Sequence, residues 1–270
     1  MVDAKTRLYG VFGNPVGHSL SPAMHNAAFK ERELNAVYLA FGLEDAGAAV
    51  ASMRALNMGG ASVTIPHKTD IMDHLDDVDA MAKRIGAVNT IVNRGGRLVG
   101  FNTDVTGAMR ALEVKGGVRG KNVLMIGAGG AARAIGFGVV EAGGKLTIAN
   151  RSAERGKALA DELAADSLLL EGVDLDGYHV LINTTSVGMF PHVDAVPVAL
   201  SGLSKETLVM DIVYNPLETA LLAGARAVGC DTIDGTAMFV GQAVAQFELW
   251  TGLEAPDALM QSVVLKHLRR

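Results

Sequence analysis

One glycine turn, a pair of arginines, one lysine and a scatter of hydroxyls and amides hold most of the chemistry this chain can do. The run Val123-Leu124-Met125-Ile126-Gly127-Ala128-Gly129-Gly130-Ala131-Ala132 reads as an apolar strand, a tight turn and the start of a helix. It satisfies G-x-G-x-x-A through Gly127, Gly129 and Ala132. In such a turn the first glycine permits the bend, the second lets backbone approach a pyrophosphate, and the small third residue lets helix pack close to strand. Gly127, Ala128, Gly129, Gly130 and Ala131 are therefore the expected phosphate cradle, at a helix N-terminus whose N–H groups and dipole favour an anion. The next strand ends Ile148-Ala149-Asn150-Arg151-Ser152, with no acid at its tip to bond a ribose 2′-hydroxyl. Arg151, with Arg155 one helical turn on, offers charge-assisted bonds to a 2′-phosphate instead. Cations at a helix start oppose the dipole unless an anion sits there. NADP is therefore expected over NAD.

A second group of polar residues follows other strand ends. Gly13-Asn14-Pro15-Val16-Gly17-His18-Ser19-Leu20-Ser21-Pro22 puts the hydroxyls of Ser19 and Ser21 at a helix start, where they can bind a carboxylate or simply cap. Ser62-Val63-Thr64-Ile65-Pro66-His67-Lys68, Gly86-Ala87-Val88-Asn89-Thr90 and Asn102-Thr103-Asp104 each lie at or just past a strand end, where α/β sheets place ligands. Oxidising a secondary alcohol needs a hydride acceptor, which a nicotinamide supplies, and a group that takes the hydroxyl proton. Lys68 is the candidate for that proton, with His67 and His18 as remoter ones. An ordinary lysine holds its proton well above neutrality, and a neighbouring carboxylate strengthens the hold. Desolvation, or a proton shared between Lys68 and Asp104, has to offset this.

In order along the chain, these stretches resemble the shikimate dehydrogenase family. The same holds for the Gly-Ala-Gly-Gly-Ala turn, Asn-Arg-Ser at residue 150, Asn183-Thr184-Thr185-Ser186-Val187-Gly188-Met189 and Asp234-Gly235…Gln242. The resemblance covers essentially the whole sequence. It implies that Ser19 and Ser21, with Tyr214, bond a substrate carboxylate. It implies that Thr64, Asn89, Asp104 and Gln242, beside Ser62, bond ring hydroxyls, and that Lys68 with Asp104 moves the proton. Asn150, Arg151, Ser152 and Arg155 would hold the adenosine end of the cofactor, and Thr184, Ile212, Gly235 and Met238 the nicotinamide half. Two positions depart from the family pattern: Ser62 stands where Asn is common, and Ser152 where many members have Thr. The implied activity is the reversible NADP-linked reduction of 3-dehydroshikimate to shikimate, in chorismate and aromatic amino-acid biosynthesis. The alternatives are an NAD-using quinate/shikimate dehydrogenase and a non-catalytic ligand-sensing homologue. Arg151 speaks against the first, and the intact Lys68 and Asp104 against the second.

The elements that must position these residues alternate. Strand-like runs such as Leu8–Phe12, Val37–Leu43, Ala61–Ile65 and Asn122–Ile126 take turns with helical patterns, as βαβ units do. The pattern predicts Pro22–Arg32 as a helix capped by Ser21, Asp77–Arg84 as another, and a hairpin around Gly95-Gly96. Two consecutive helices, Thr236–Thr251 and Ala255–Arg270, close the chain. The expected fold is α/β with two domains. A substrate domain with a mainly parallel sheet spans 1–105, completed by helices 241–270, and a Rossmann-type NADP domain spans 106–240. The site is expected in the cleft between them. With 49% apolar and 20% charged residues the chain has enough apolar surface to fold rather than stay disordered. A net charge of -5 and 5% aromatics argue against a nucleic-acid binder. Cys230 is the single cysteine, no metal site is expected, and no leader or membrane span is visible, which fits a cytoplasmic enzyme. The expected partner is a small-molecule substrate, with a homodimer left open.

Overall fold

The computed structural model describes residues 2–269. They form two compact units, one built from the chain up to Thr103 together with the chain from Gln242 onward, the other from Asp104–Gly241. No helix of the described residues is long and apolar enough to cross a membrane.

The first unit opens with β1 (Arg7–Gly13), α1 (Ser21–Glu31), β2 (Ala36–Gly42), α2 (Ala46–Ala55) and β3 (Gly60–Val63). It continues through β4 (Asp77–Val78), α3 (Ala80–Ile85), β5 (Thr90–Arg94) and β6 (Arg97–Phe101). Its sheet has the order β2-β1-β3-β5-β6-β4. β1 runs parallel to β2 and β3, whereas β5 is antiparallel to β3 and β6. Gly95 and Gly96 make the two-residue turn between β5 and β6, with φ of 64° and 94°. Both positions of a tight hairpin turn of this kind need positive φ, which glycine adopts without strain.

Two expectations need correction here. The stretch Asp77–Arg84 is not one helix: Asp77–Val78 pairs as β4, and the helix starts only at Ala80. The break comes from Asp79, whose carboxylate caps the helix by accepting from the Met81 N–H at 2.9 Å. Lys83 and Arg97 also hold the Asp77 carboxylate, at 3.2 and 3.3 Å, beside the strand edge. Ser21 is not the cap of α1 but its first residue, and no side chain caps that helix. The Ser21 hydroxyl is thus not used up by the helix end.

The second unit holds α4 (Asp104–Glu113), β7 (Asn122–Ile126), α5 (Gly130–Glu141), β8 (Lys145–Asn150), α6 (Ala153–Leu163) and β9 (Asp166–Leu169). β10 (Val180–Asn183), β11 (Leu208–Asp211), α7 (Ala220–Val228) and β12 (Thr232–Ile233) follow. Its strands all pair in parallel, in the order β12-β11-β10-β7-β8-β9. The order reverses direction between β7 and β10, which is the crevice where doubly wound sheets bind ligands. Leu124, Ile126, Leu181, Val209 and Leu222 fill the core on one side. β9 is the strand that the sequence pattern does not show, because all four of its residues, Asp-Ser-Leu-Leu, are exposed.

The chain then leaves this unit along α8 (Gly235–Thr251) and ends with α9 (Asp257–Leu268); Arg270, at the end of the predicted last helix, lies outside the described residues. The latter half of α8 closes the first unit. Trp250 donates its indole N–H to the Ile91 carbonyl at 2.9 Å. A Cβ on Gly60 would collide with that indole, so glycine there is what lets α8 approach the sheet. Under α8 lies an aromatic group: His25 stacks on Tyr38 at 4.6 Å, with Phe29 and Trp250 against its ring. Neither nitrogen of the fully buried His25 ring has a hydrogen-bond partner.

Burial holds His25 down from its ordinary 6.5 to about 3, against the opposing influence of the Gln246 side chain. The folded protein excludes a proton that the unfolded chain takes up. This stability is therefore complete above pH 6.5 and is lost as pH falls from 6.5 toward 3. The expected loss is about 1.4 kcal/mol per pH unit across that window. Urea unfolding of the wild type and of His25→Phe through the same window should show the stability difference shifting steadily in favour of the variant as pH drops. A difference constant with pH would contradict a neutral buried ring.

Candidate active site

In the first unit, hydrogen bonds between loops gather most of the predicted substrate residues at one end of the sheet. β1 and β3 lie side by side, and the loops that follow them are tied together: Thr64 N–H donates to the Phe12 carbonyl at 2.9 Å and Asn14 N–H to the Ile65 carbonyl at 3.0 Å. The first loop carries Ser19 and Ser21, with the Ser19 Oγ accepting from the Ser21 N–H at 3.3 Å. The second carries Thr64 and Lys68. Val88 N–H donates to the Lys68 carbonyl and Val63 N–H to the Asn89 carbonyl, both at 2.7 Å, which brings Lys68 to the segment holding Asn89.

Asn89 is the hub. Its Oδ1 accepts from Thr90 Oγ1 at 2.7 Å, from Thr103 N–H at 2.7 Å and from Thr103 Oγ1 at 3.1 Å. Its Nδ2 points the other way, toward Gln242 Oε1 at 3.5 Å. Asn102 is fixed by donation to the Ala87 carbonyl at 3.0 Å. Asp104, buried, comes next in the chain and opens α4. His67 is turned inward, 2% exposed, with Nε2 2.6 Å from the Leu43 carbonyl, and this takes it out of the candidate acid–bases. His18 sits exposed on its loop.

The second unit carries the nucleotide features. Gly127 has φ of 112°, and a Cβ there would lie 2.6 Å from Thr184 Oγ1, so the turn after β7 presses on the loop after β10. Thr184 Oγ1 in turn donates to the Ile126 carbonyl at 2.6 Å. Gly129 differs: its φ is −92° and a Cβ would meet nothing within 4 Å, and Gly130 is equally open. Neither packing nor backbone conformation requires glycine at 129. A phosphate lying against the backbone would require it.

At the tip of β8, Asn150 Nδ2 donates to the Ser152 carbonyl at 2.9 Å, and Ser152 Oγ caps α6 by accepting from the Arg155 N–H at 3.4 Å. Arg151 and Arg155 are exposed, and neither has a carboxylate partner among the described residues. Two uncompensated cations at a helix start fit an anionic ligand group.

The sequence does not show how the loops carrying Thr184 and Ile212, expected at the nicotinamide, are held. The buried carboxylate of Asp211 accepts from Asn183 Nδ2 at 2.9 Å, Val213 N–H at 3.0 Å and Thr219 Oγ1 at 2.7 Å. Burial raises its carboxyl above the usual range, and those three bonds oppose the shift. Asn183 Oδ1 accepts from the Thr185 N–H and hydroxyl, so Asp211 and Asn183 together set both turns, 184–187 and 212–214. A Cβ on Gly235 would fall 2.5 Å from the Ile212 and Val213 carbonyl oxygens, which lets α8 begin directly against Ile212. Met238, one turn further, is buried. Tyr214 belongs to this second unit, where it stacks on Phe239 at 4.7 Å and 19°.

Three family models match in succession. These are the shikimate dehydrogenase substrate-binding domain over residues 11–91, shikimate/quinate 5-dehydrogenase over 109–215, and the shikimate 5′-dehydrogenase C-terminal domain over 235–265. A shikimate dehydrogenase (NADP(+)) of Moorella thermoacetica is 47% identical, covering 97% of this chain and 94% of its own. A crystal structure of a shikimate dehydrogenase in complex with NADP+ superimposes with a TM-score of 0.97 at 42% identity, covering 100% of this chain and 98% of that one. The Thermus thermophilus enzyme, solved with NADP(H) and shikimate, gives a TM-score of 0.90 at 36% identity over 97% and 99%.

The contrast between two glycines is testable. Gly129→Ala should leave stability within about 0.5 kcal/mol of wild type while raising the KM for the dinucleotide about tenfold or more. Gly235→Ala, which must push on backbone, should cost about 1–3 kcal/mol by urea unfolding. Equal stability losses would mean that Gly129 serves packing.

Proposed function

Because the chain belongs to the shikimate dehydrogenase family, we propose that it catalyses the reversible NADP-linked interconversion of 3-dehydroshikimate and shikimate. The observation that carries this reading is the end-to-end match to NADP-dependent shikimate dehydrogenases. We place the reaction in the supply of chorismate for aromatic amino acids. A reducing cytoplasm is the proposed setting, supported by the lone thiol of Cys230, buried and directed at the Ser204 carbonyl at 3.2 Å.

In this reading Ser19 and Ser21 donate to the substrate carboxylate, aided by Tyr214. The Ser21 hydroxyl is not engaged in capping α1, which supports that role. Thr64, Asn89, Asp104 and Gln242 hold ring hydroxyls, with Ser62 beside them; the 3.5 Å approach of Asn89 Nδ2 to Gln242 Oε1 supports this by bringing two of these side chains together. NADPH, when bound, supplies the hydride. Gly127–Ala131 hold its pyrophosphate, Asn150, Arg151, Ser152 and Arg155 its adenosine end, and Thr184, Ile212, Gly235 and Met238 its nicotinamide half. The Lys68 ammonium, paired with Asp104, gives its proton to the carbonyl oxygen on reduction and takes it back on oxidation. The backbone bond from Val88 to Lys68 supports this role by fixing Lys68 beside the Asn89 segment.

Lys68→Ala should lower kcat about 100-fold or more and change the KM for shikimate far less. Wild-type kcat/KM in the Lys68→Ala enzyme would end the assignment. Replacing Arg151 and Arg155 together by Ala should raise the KM for NADP about tenfold or more and leave kcat/KM with NAD unchanged. Comparing shikimate with NADP, shikimate with NAD and quinate with NADP on the wild type tests the NAD-using quinate reading directly.

A further inference from the structure

Behind the substrate residues of the first unit lies a network of buried hydrogen bonds whose direction is fixed from Tyr38 through Ser62 to Gln246. Gln246, 1% exposed, stands one turn beyond Gln242 on α8. Its Nε2 is 3.3 Å from the Asn89 main-chain carbonyl and 3.0 Å from Thr90 Oγ1. A carbonyl oxygen only accepts, so the amide nitrogen must face Asn89 and the amide oxygen must face the other way. That oxygen, Oε1, lies 2.7 Å from Ser62 Oγ. An amide oxygen also only accepts, so Ser62 must give its one proton to Gln246. Tyr38, fully buried, is then the donor to Ser62 Oγ, at 2.6 Å. On the far side, Thr90 Oγ1 receives from Gln246 and lies 2.7 Å from Asn89 Oδ1 and 3.0 Å from Thr103 Oγ1.

We infer that Gln246 is a positioning residue that leaves Ser62 able to offer substrate a lone pair but no proton, so that the ring group facing Ser62 must itself donate. The inference rests on the reading of Ser62 as part of the substrate site. A hydroxyl has one proton and two lone pairs. With the proton on Gln246 and one lone pair on Tyr38, a single lone pair remains at Ser62. A ring hydroxyl satisfies it. A carbonyl, ether or fluorine brings only acceptor density against it, and a buried acceptor left without a donor weakens binding. The network therefore selects at this position for an alcohol over an isosteric group without a proton.

The test uses the full-length enzyme, NADP, shikimate and analogues in which each non-reacting ring hydroxyl in turn is replaced by fluorine. Fluorine keeps the size and cannot donate. The wild type should lose about 100-fold in kcat/KM on one analogue, the loss expected when one buried acceptor is left without a donor. Gln246→Met should narrow that loss to about tenfold, because Ser62 regains a proton it can turn outward. Tyr38→Phe should keep the full loss, because Gln246 still takes the Ser62 proton. Ser62→Ala should narrow the loss as Gln246→Met does, which keeps the test available if α8 tolerates methionine poorly. The KM for NADP, held within about twofold of wild type across the variants, confirms that each is folded. A wild type indifferent to all the analogues, a Gln246→Met enzyme as discriminating as wild type, or a Tyr38→Phe enzyme that loses discrimination would overturn the inference. A wild type without shikimate turnover would instead remove the functional reading beneath it.

Discussion

A buried polar group must find a partner, and in the first unit that requirement converges on Asn89. Its side-chain oxygen takes three donors, and its main-chain oxygen takes the Val63 N–H and the Gln246 amide. Such groups are costly to leave unsatisfied, on the order of 1–3 kcal/mol each. The bonds thus hold β3, the Asn102–Asp104 segment and α8 in register around one residue. The two loops after β1 and β3 are laced to this frame through Lys68, Thr64 and Asn14. The polar residues proposed to face substrate are therefore set by neighbours that never need to touch it.

The second unit solves a similar problem with a charge. Asp211 is buried at the C-terminal end of β11, where an unpaired carboxylate would be strongly disfavoured. Donors from Asn183, Val213 and Thr219 make it tolerable; they sit at the end of β10, in the loop after β11 and at the start of α7. The glycines complete the picture by subtraction. Gly127 and Gly235 are glycine because protein atoms leave no room for a Cβ, whereas Gly129 is glycine with open space around it.

Legibility followed the range of the interactions. The glycine turn, the alternation of strands and helices and the two-glycine hairpin are local, and each could be read from a dozen residues. The strand β9 could not, because an exposed, partly polar four-residue edge carries no periodic signal. The break at Asp79 has no local mark, because Asp77–Arg84 has helix-forming composition and only the pairing of Asp77–Val78 with β6 overrides it. At the site, the residues named in advance are those with local motif spacing. Gln246 and Tyr38 carry no such mark. Gln246 does lie four residues from Gln242, on the same helical face, which was the one available hint. Its meaning depends on Ser62 and Asn89, 184 and 157 residues away.

The return of α8 to the first unit also has a consequence for synthesis. The second unit is one unbroken stretch and can complete its sheet as soon as Gly241 has emerged. The first unit, although it begins the chain, lacks its closing helix until Trp250 follows, and its bonds to α8 span 153 to 184 residues. Until then the Ile91 and Asn89 carbonyls have no α8 donor, and the bare flank of Gly60 has no indole against it. The segment made first is thus finished last, and a ribosome stalled between Gly241 and Trp250 would carry a complete second unit and an unfinished first one.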